Sequence, residues 1–175
     1  FELLEGEVDD WWPEAPGLSP RARERGRYLA CQCVPAGDCT IKVNLKQEMV
    51  PAIVPQRRTL TFISAHSLTA DMSEFSFRSA GPAEFLPGQF ATMELPGVEG
   101  HRGYSMCNLA NDEGLWNFVI KRVPGGKGTG ILFDSLEPGA EVPVDVPYGN
   151  SYLRTDNGRD IVCIAGGSGL SPVLS

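Results

Sequence analysis

No stretch of the sequence is apolar for long enough to cross a bilayer. Residues 1–10 lack the basic region and apolar run of a secretory leader. Basic residues are also scarce. Fifteen Lys and Arg stand against 22 Asp and Glu, a net charge of −7, and no basic stripe offers itself to a nucleic-acid backbone. The acidity reads as solubility, or as a means of selecting a partner protein. There are only 2 histidines, His66 and His101. Neither stands in a catalytic pattern, and both read as polar surface or loop residues. The five cysteines are an odd number without a leader, which argues against a secreted disulfide framework and for reduced thiols in the cytoplasm. A starting Met is missing, and the chain stops at Ser175 just after a glycine-rich turn, so both ends read as cuts inside structured regions. Internal repeats and low-complexity tracts are absent as well.

What is present is a series of short strand patterns divided by Gly and Pro. Residues 1–5 read as the end of a strand, with a turn at Gly6. Ser19 is a good N-cap and Pro20 suits the first helical position, so a short helix is expected up to Gly26. The apolar run 28–33 is followed by an alternating stretch at 39–45, which predicts a half-buried strand. Residues 46–56 hold two prolines and read as a linker. Strands are then expected over 58–67, 72–79, 89–95, 102–107, 115–123 and 141–146, which suggests a small barrel or sandwich. Ile131, Leu132, Phe133 and Leu136 carry a helical spacing behind a glycine-rich loop at 124–130. Residues 160–165 read as a buried strand running into the glycines of 166–172, which is how a dinucleotide-binding α/β domain begins.

Three segments carry chemistry. In Arg102-Gly103-Tyr104-Ser105, Arg and Tyr lie two apart on a strand and so share a face. A cation and a ring on one face suit a ligand with a pyrophosphate and a flat ring system. The plain alternative is a strand with a surface Arg and a half-buried Tyr. Gly126-Lys127-Gly128-Thr129 precedes the helical spacing. It offers close backbone approach, N–H groups, a hydroxyl and a cation to a phosphate, or else is merely a flexible tip. It is not a P-loop. Gly166-Gly167-Ser168-Gly169-Leu170-Ser171-Pro172 is either a nucleotide turn, though not of the usual GxGxxG spacing, or a plain strand-to-helix turn.

Taken in this order, the three segments resemble the ferredoxin–NADP reductase superfamily. Leu86-Pro87-Gly88-Gln89-Phe90 resembles the strand that precedes the flavin motif there, and Tyr148-Gly149 the segment before the nucleotide domain. The ordered set covers roughly residues 50–172. Leu29-Ala30-Cys31-Gln32 with Asp38-Cys39-Thr40-Ile41 resembles the last part of a plant-type [2Fe–2S] ferredoxin domain. Residues 102–108 and 148–154 look most like the reductases of toluene, phenol and alkene monooxygenases.

The resemblance implies a mainly β fold. The C-terminal part of a β-grasp ferredoxin domain (1–46) would precede an antiparallel Greek-key FAD-binding barrel (50–154) and the start of an α/β NAD-binding domain (159–175). It implies electrons passing from NADH through FAD and a [2Fe–2S] cluster to an oxygenase component or a small ferredoxin carrier. No nucleic acid, membrane or catalytic side chain is involved. Tyr104 is expected against the flavin ring, Arg102 on the pyrophosphate, and Gly103 and Ser105 beside them. Ile120, Lys121 and Arg122 would run past the ribityl and adenine side. Gly126, Lys127, Gly128 and Thr129 would hold the pyrophosphate. Gly166, Gly167, Ser168, Gly169 and Pro172 would form the nicotinamide-nucleotide turn. Cys31 matches the fourth cluster thiolate, while Cys33 and Cys39 sit where the motif needs none. One ligand of the four a cluster takes holds no cluster, and one strand of a doubly wound domain holds no nucleotide. Three alternatives remain: the reductase of a ring-hydroxylating dioxygenase, a non-enzymatic flavin module, or a colourless β-barrel interaction domain.

Overall fold

The computed structural model describes residues 1–46, 50–158 and 160–175, with Asn157 described by its backbone alone. Part of the expected linker, at 47–49, and Arg159 at the start of the expected nucleotide domain lie outside the described residues. Contacts divide the chain into two units, Phe1–Pro51 and Ala52–Ser175.

The first unit holds two antiparallel ribbons. Strand β1 (Glu2–Glu5) pairs with β4 (Thr40–Lys42), and β2 (Val8–Asp10) pairs with β3 (Cys33–Pro35). Between β2 and β3 lies α1 (Pro20–Arg23). The Ser19 hydroxyl accepts the Ala22 N–H at 3.3 Å, Pro20 fills the first turn, and Gly26 follows with φ +69°. The expected strand 39–45 is shorter and more exposed than its alternation suggests. Ile41, Val43 and Leu45 are 48%, 51% and 84% exposed. Alternation gathers them on one face, but among the described residues no second layer within this unit covers that face.

The second unit is built on a six-stranded antiparallel sheet. Its strands are β5 (Gln56–Ser67), β6 (Met72–Arg78), β7 (Phe90–Glu94), β8 (His101–Ser105), β9 (Leu115–Lys121) and β10 (Glu141–Tyr148). The spatial order is β8-β7-β10-β5-β6-β9, with Greek-key crossovers. The sheet curls so that its two edges meet, where the Cys107 N–H donates to the Asn117 carbonyl of β9 at 2.8 Å. Period-two alternation points Leu60, Phe62, Phe75, Phe77, Trp116, Phe118, Val142, Val144 and Val146 inward, and all are buried. Phe77 meets Phe118 edge-on, with ring centroids 5.8 Å apart.

Two sequence expectations need correction. The helix after the glycine loop begins inside it, as α2 (Lys127–Gly130), and continues into a wider turn over Ile131–Ser135. Glycine is a poor helix former, but Leu132 is buried against the barrel, so packing overrides propensity here. Residues 160–165 form no strand. Ile161, Val162 and Ile164 are 53%, 84% and 92% exposed. A parallel strand exists only between hydrogen-bonded neighbours, and the described residues supply none. Beyond them the chain returns to the barrel through a 3₁₀ turn (Gly167–Leu170) and α3 (Ser171–Leu174).

Candidate functional site

Opposed residues in an antiparallel pair share a face. The register sets Tyr104 opposite Ala91 and Arg102 opposite Met93. Ala91 and Met93 belong to the core, so Arg102 and Tyr104 emerge at the barrel mouth, where β8 parts from β9. Arg102 is braced by its own loop. Its Nη1 donates to the carbonyls of His101 at 3.0 Å and Glu99 at 3.2 Å. Tyr104 is half-buried, and burial holds its phenol above the ordinary tyrosine value although the charge of Arg102 opposes this. At neutral pH it is therefore an uncharged aromatic surface.

The glycine loop closes the mouth from the far side. Thr129 is buried, and its hydroxyl accepts the Val123 N–H at 3.1 Å while reaching the carbonyls of Val123 and Gly126. Glycine is required where this hydroxyl sits. A Cβ on Gly126 would stand 2.8 Å from Thr129 Oγ1 and 2.9 Å from Val123 Cβ. A Cβ on Gly128 would stand 3.2 Å from Arg102 Cγ, so the backbone of α2 lies directly over the Arg102 stem.

Together these elements enclose a cleft of about 650 Å³, within the range of small-molecule and cofactor sites. Arg102, Gly103, Tyr104 and Ser105 line one wall, Ile120 and Lys121 a second, and Gly126, Lys127, Gly128 and Thr129 a third. Ser168, Gly169 and Pro172 come in from the tail. Arg122, Gly166 and Gly167 are not among the lining residues. Val119 and Val123 are, and the sequence reading missed them; Ser171 is too, and the sequence reading took it only as part of the 166–172 turn. Ser171 had a signal, since it stands within the third motif.

Ion pairing separates the cations in and beside the cleft. Lys121 pairs with Asp71 at 3.1 Å. Arg122 pairs with Asp134 at 2.6 Å and lies over the Phe133 ring. Among the described residues, neither Arg102 nor Lys127 has a carboxylate partner. Two cations without internal counter-ions, facing a glycine cradle and an aromatic wall, fit the pyrophosphate and ring system of a flavin dinucleotide.

Gln89 serves as a strut. Its Oε1 accepts the Leu86 N–H at 2.8 Å and its Nε2 donates to the Gly149 carbonyl at 3.2 Å, joining two of the resemblance segments behind the site. Cys107 lies just beyond β8. Burial, reinforced by the charge of Glu74, pushes its thiol up to about 12. Only thiolate is reactive. Iodoacetamide at pH 8 is therefore expected to alkylate the exposed Cys31 and Cys163 and leave Cys107 unmodified in the folded chain, as read by peptide mass spectrometry. Alkylation of Cys107 as fast as Cys163 would contradict its half-buried placement.

Two other clusters hold candidate metal ligands. Glu94, His101 and Asp145 place one ligand atom each within 4.8 Å of one another. Arg57 is already their counter-ion, 2.5 Å from Glu94 and 3.5 Å from Asp145. Cys31 is exposed on the turn Ala30–Gln32, with Cys33 and Cys39 half-buried nearby in sequence. Among the described residues these three thiols do not converge as a metal-holding group, so this chain alone does not fit an iron–sulfur cluster. No helix of the described residues is long and apolar enough to cross a membrane.

The chain belongs to the oxidoreductase FAD-binding domain family, whose sequence profile matches residues 59–152. Among curated proteins it is 49% identical to a ferredoxin–NAD(P)(+) reductase of Metapseudomonas resinovorans, over 98% of this chain and 53% of that protein. It is 44% identical to the ferredoxin–NAD(+) reductase component of the alkene monooxygenase system of Xanthobacter autotrophicus, over 99% of this chain and 53% of that protein. Among solved structures, the ferredoxin reductase in carbazole 1,9a-dioxygenase aligns with a TM-score of 0.81 at 42% identity, over 99% of this chain and 55% of that one. The chain spans about half the length of the curated relatives it matches.

Proposed function

We propose that the chain is the central part of the reductase of a bacterial multicomponent oxygenase, a protein that moves electrons from NADH to an oxygenase or its ferredoxin carrier. The observation that carries this reading is the convergence of three motifs on one cleft, although they are separated by about twenty residues or more in sequence. Bound FAD supplies the two-electron acceptance and one-electron release such a reductase needs. The side chains bind and orient it. Arg102 and Lys127 neutralise the pyrophosphate, and Gly126, Gly128 and Thr129 let the backbone approach it. Tyr104 covers one ring face, and Ser105 meets the ring edge. Ile120 and Lys121 follow the ribityl side. Residues 166–172 begin the nicotinamide-nucleotide turn. Arg122 acts indirectly in this reading, clamping Asp134 and Phe133 beside α2. Cys31 contributes one cluster thiolate in the longer protein, within a ferredoxin segment that spans 1–46.

The oxygenase is a monooxygenase in the reading drawn from residues 102–108 and 148–154, and the 44% identity to an alkene monooxygenase reductase supports it. The carbazole dioxygenase reductase favours a ring-hydroxylating dioxygenase system instead. Electron delivery from the full-length protein to each class of oxygenase component separates the two.

The FAD site itself is tested on this chain. After incubation with FAD and desalting, the protein is expected to retain flavin absorbance in the visible. A colourless chain that circular dichroism shows to be folded would replace this reading with a cofactor-free β-barrel module.

A further inference from the structure

The barrel has a gap in its hydrogen bonding beside the cleft. Strand β8 pairs only with β7, and β9 only with β6, among the described residues. The two edges are tied at one end by Cys107 to Asn117 at 2.8 Å, and by the Asn108 side chain to the Asn117 N–H at 2.9 Å. Past that point they diverge, and the Ser105 carbonyl and the Val119 N–H are left on either side of the opening. Buried backbone groups need partners, and Val119 is 5% exposed.

One side chain from the tail serves both. The Ser171 hydroxyl donates to the Ser105 carbonyl at 2.6 Å and accepts from the Val119 N–H at 3.4 Å. The Cys107 sulfur lies beside this bridge, in contact with both the Ser171 hydroxyl and the backbone of Val119. A hydroxyl has one donor and two acceptor sites, so the one Ser171 hydroxyl serves both groups at once. It is 2% exposed, whereas Leu170 and Val173 are each 39% exposed. This side chain replaces a missing rung of the sheet. It also stands between two walls of the cleft, because Tyr104 and Ser105 lie on one side and Ser168 and Gly169 on the other.

We infer that Ser171 is a positioning residue for the electron transfer proposed above: by bridging Ser105 and Val119 it fixes the glycine-rich turn 166–169 at a set distance from the Tyr104–Ser105 wall. The inference rests on the reductase reading. Its content is the hydroxyl itself. An alanine at 171 fills nearly the same space but leaves the Ser105 carbonyl and the Val119 N–H without their common partner, so the turn loses its register while the flavin wall stays in place.

The test uses the full-length protein with Ser171→Ala and Ser171→Thr. FAD content of the parent is measured first. A parent that holds no FAD defeats the reductase reading, and the amide exchange below then still judges the bridge by itself. In the alanine variant, FAD affinity is expected to stay within about threefold of the parent. Hydrogen exchange of peptides covering 117–121 and 166–172 is expected to rise about tenfold, the scale of one buried hydrogen bond. Flavin reduction by NADH in a single turnover slows by a similar factor. The threonine variant keeps the hydroxyl and is expected to recover both protection and rate. Parent-like exchange and rate in the alanine variant overturn the inference. So does loss of FAD together with rate, which makes Ser171 a support of the barrel alone. If the alanine variant does not fold, the threonine variant decides: parent-like behaviour supports the bridge, and slow reduction overturns it.

Discussion

An Arg102→Ala, Lys127→Ala double variant is expected to bind FAD roughly 10²–10⁴-fold more weakly than the parent chain. A hydrogen bond to a charged group contributes about 1.5–3 kcal/mol, and each 1.4 kcal/mol is about a factor of ten. The two residues reach the proposed pyrophosphate from different elements, β8 and the start of α2. Neither has a carboxylate to fall back on among the described residues. Their full attraction is therefore available to the ligand. Quenching of flavin fluorescence at two ionic strengths measures it, and the parent should lose more affinity with salt than the variant does. Arg122→Ala is the control, because Asp134 already neutralises Arg122 and its removal should change FAD affinity by less than about threefold. A double variant within threefold of the parent would show that these cations do not hold the cofactor.

Trp116→Ala is expected to destabilise the barrel by about 3–5 kcal/mol, the usual cost of removing a buried aromatic ring. For a unit of this size that lowers the melting temperature by roughly 10–20 °C. The Trp116 ring is fully buried, packs on Phe85 at 5.3 Å between centroids, and lies under the Arg58 guanidinium at 5.9 Å. Its Nε1 also donates to the Ser79 hydroxyl at 3.0 Å, which in turn donates to the Gly81 carbonyl at 2.6 Å. Trp116→Phe keeps most of the ring and loses the donor, so it should cost about 1–3 kcal/mol, with Ser79 left short of a partner. Thermal melts without FAD separate the two variants. Equal losses in both would mean that the indole N–H, not the packing, dominates at this position.

The barrel strands were legible because they obey one rule over short windows. Phe75 and Phe77 alternate with polar neighbours, Val142, Val144 and Val146 recur at every second position, and the sheet buries all five. The helix start was legible at Ser19, where capping is local. What failed in the reading depends on distant partners. Residues 160–165 are apolar enough for a buried strand, but apolarity does not supply neighbours, and the segment is left in solvent. Lys127 to Gly130 reads as loop from its glycines and is helical because Leu132 and Thr129 are drawn into the barrel. At the site, the motif residues could be named in order, and the sharing of one face by Arg102 and Tyr104 follows from strand geometry alone. The roles of Ser171 and Val119 could not be read, since a serine in a glycine-rich turn gives no hint that it will satisfy a carbonyl sixty-six positions earlier. The separation of free from neutralised cations was equally hidden, because it turns on Asp71 and Asp134, which belong to no motif.

The exposed run at Ile161, Val162 and Ile164 also governs how this polypeptide behaves in a tube. An extended, apolar segment with open backbone groups is a template for edge-to-edge pairing between molecules. The net charge of −7 keeps molecules apart at low ionic strength, and added salt removes that protection while strengthening apolar association. Colloidal stability of this chain is accordingly a contest between overall charge and exposed apolar segments such as this one, and dilute, low-salt buffers favour the charge.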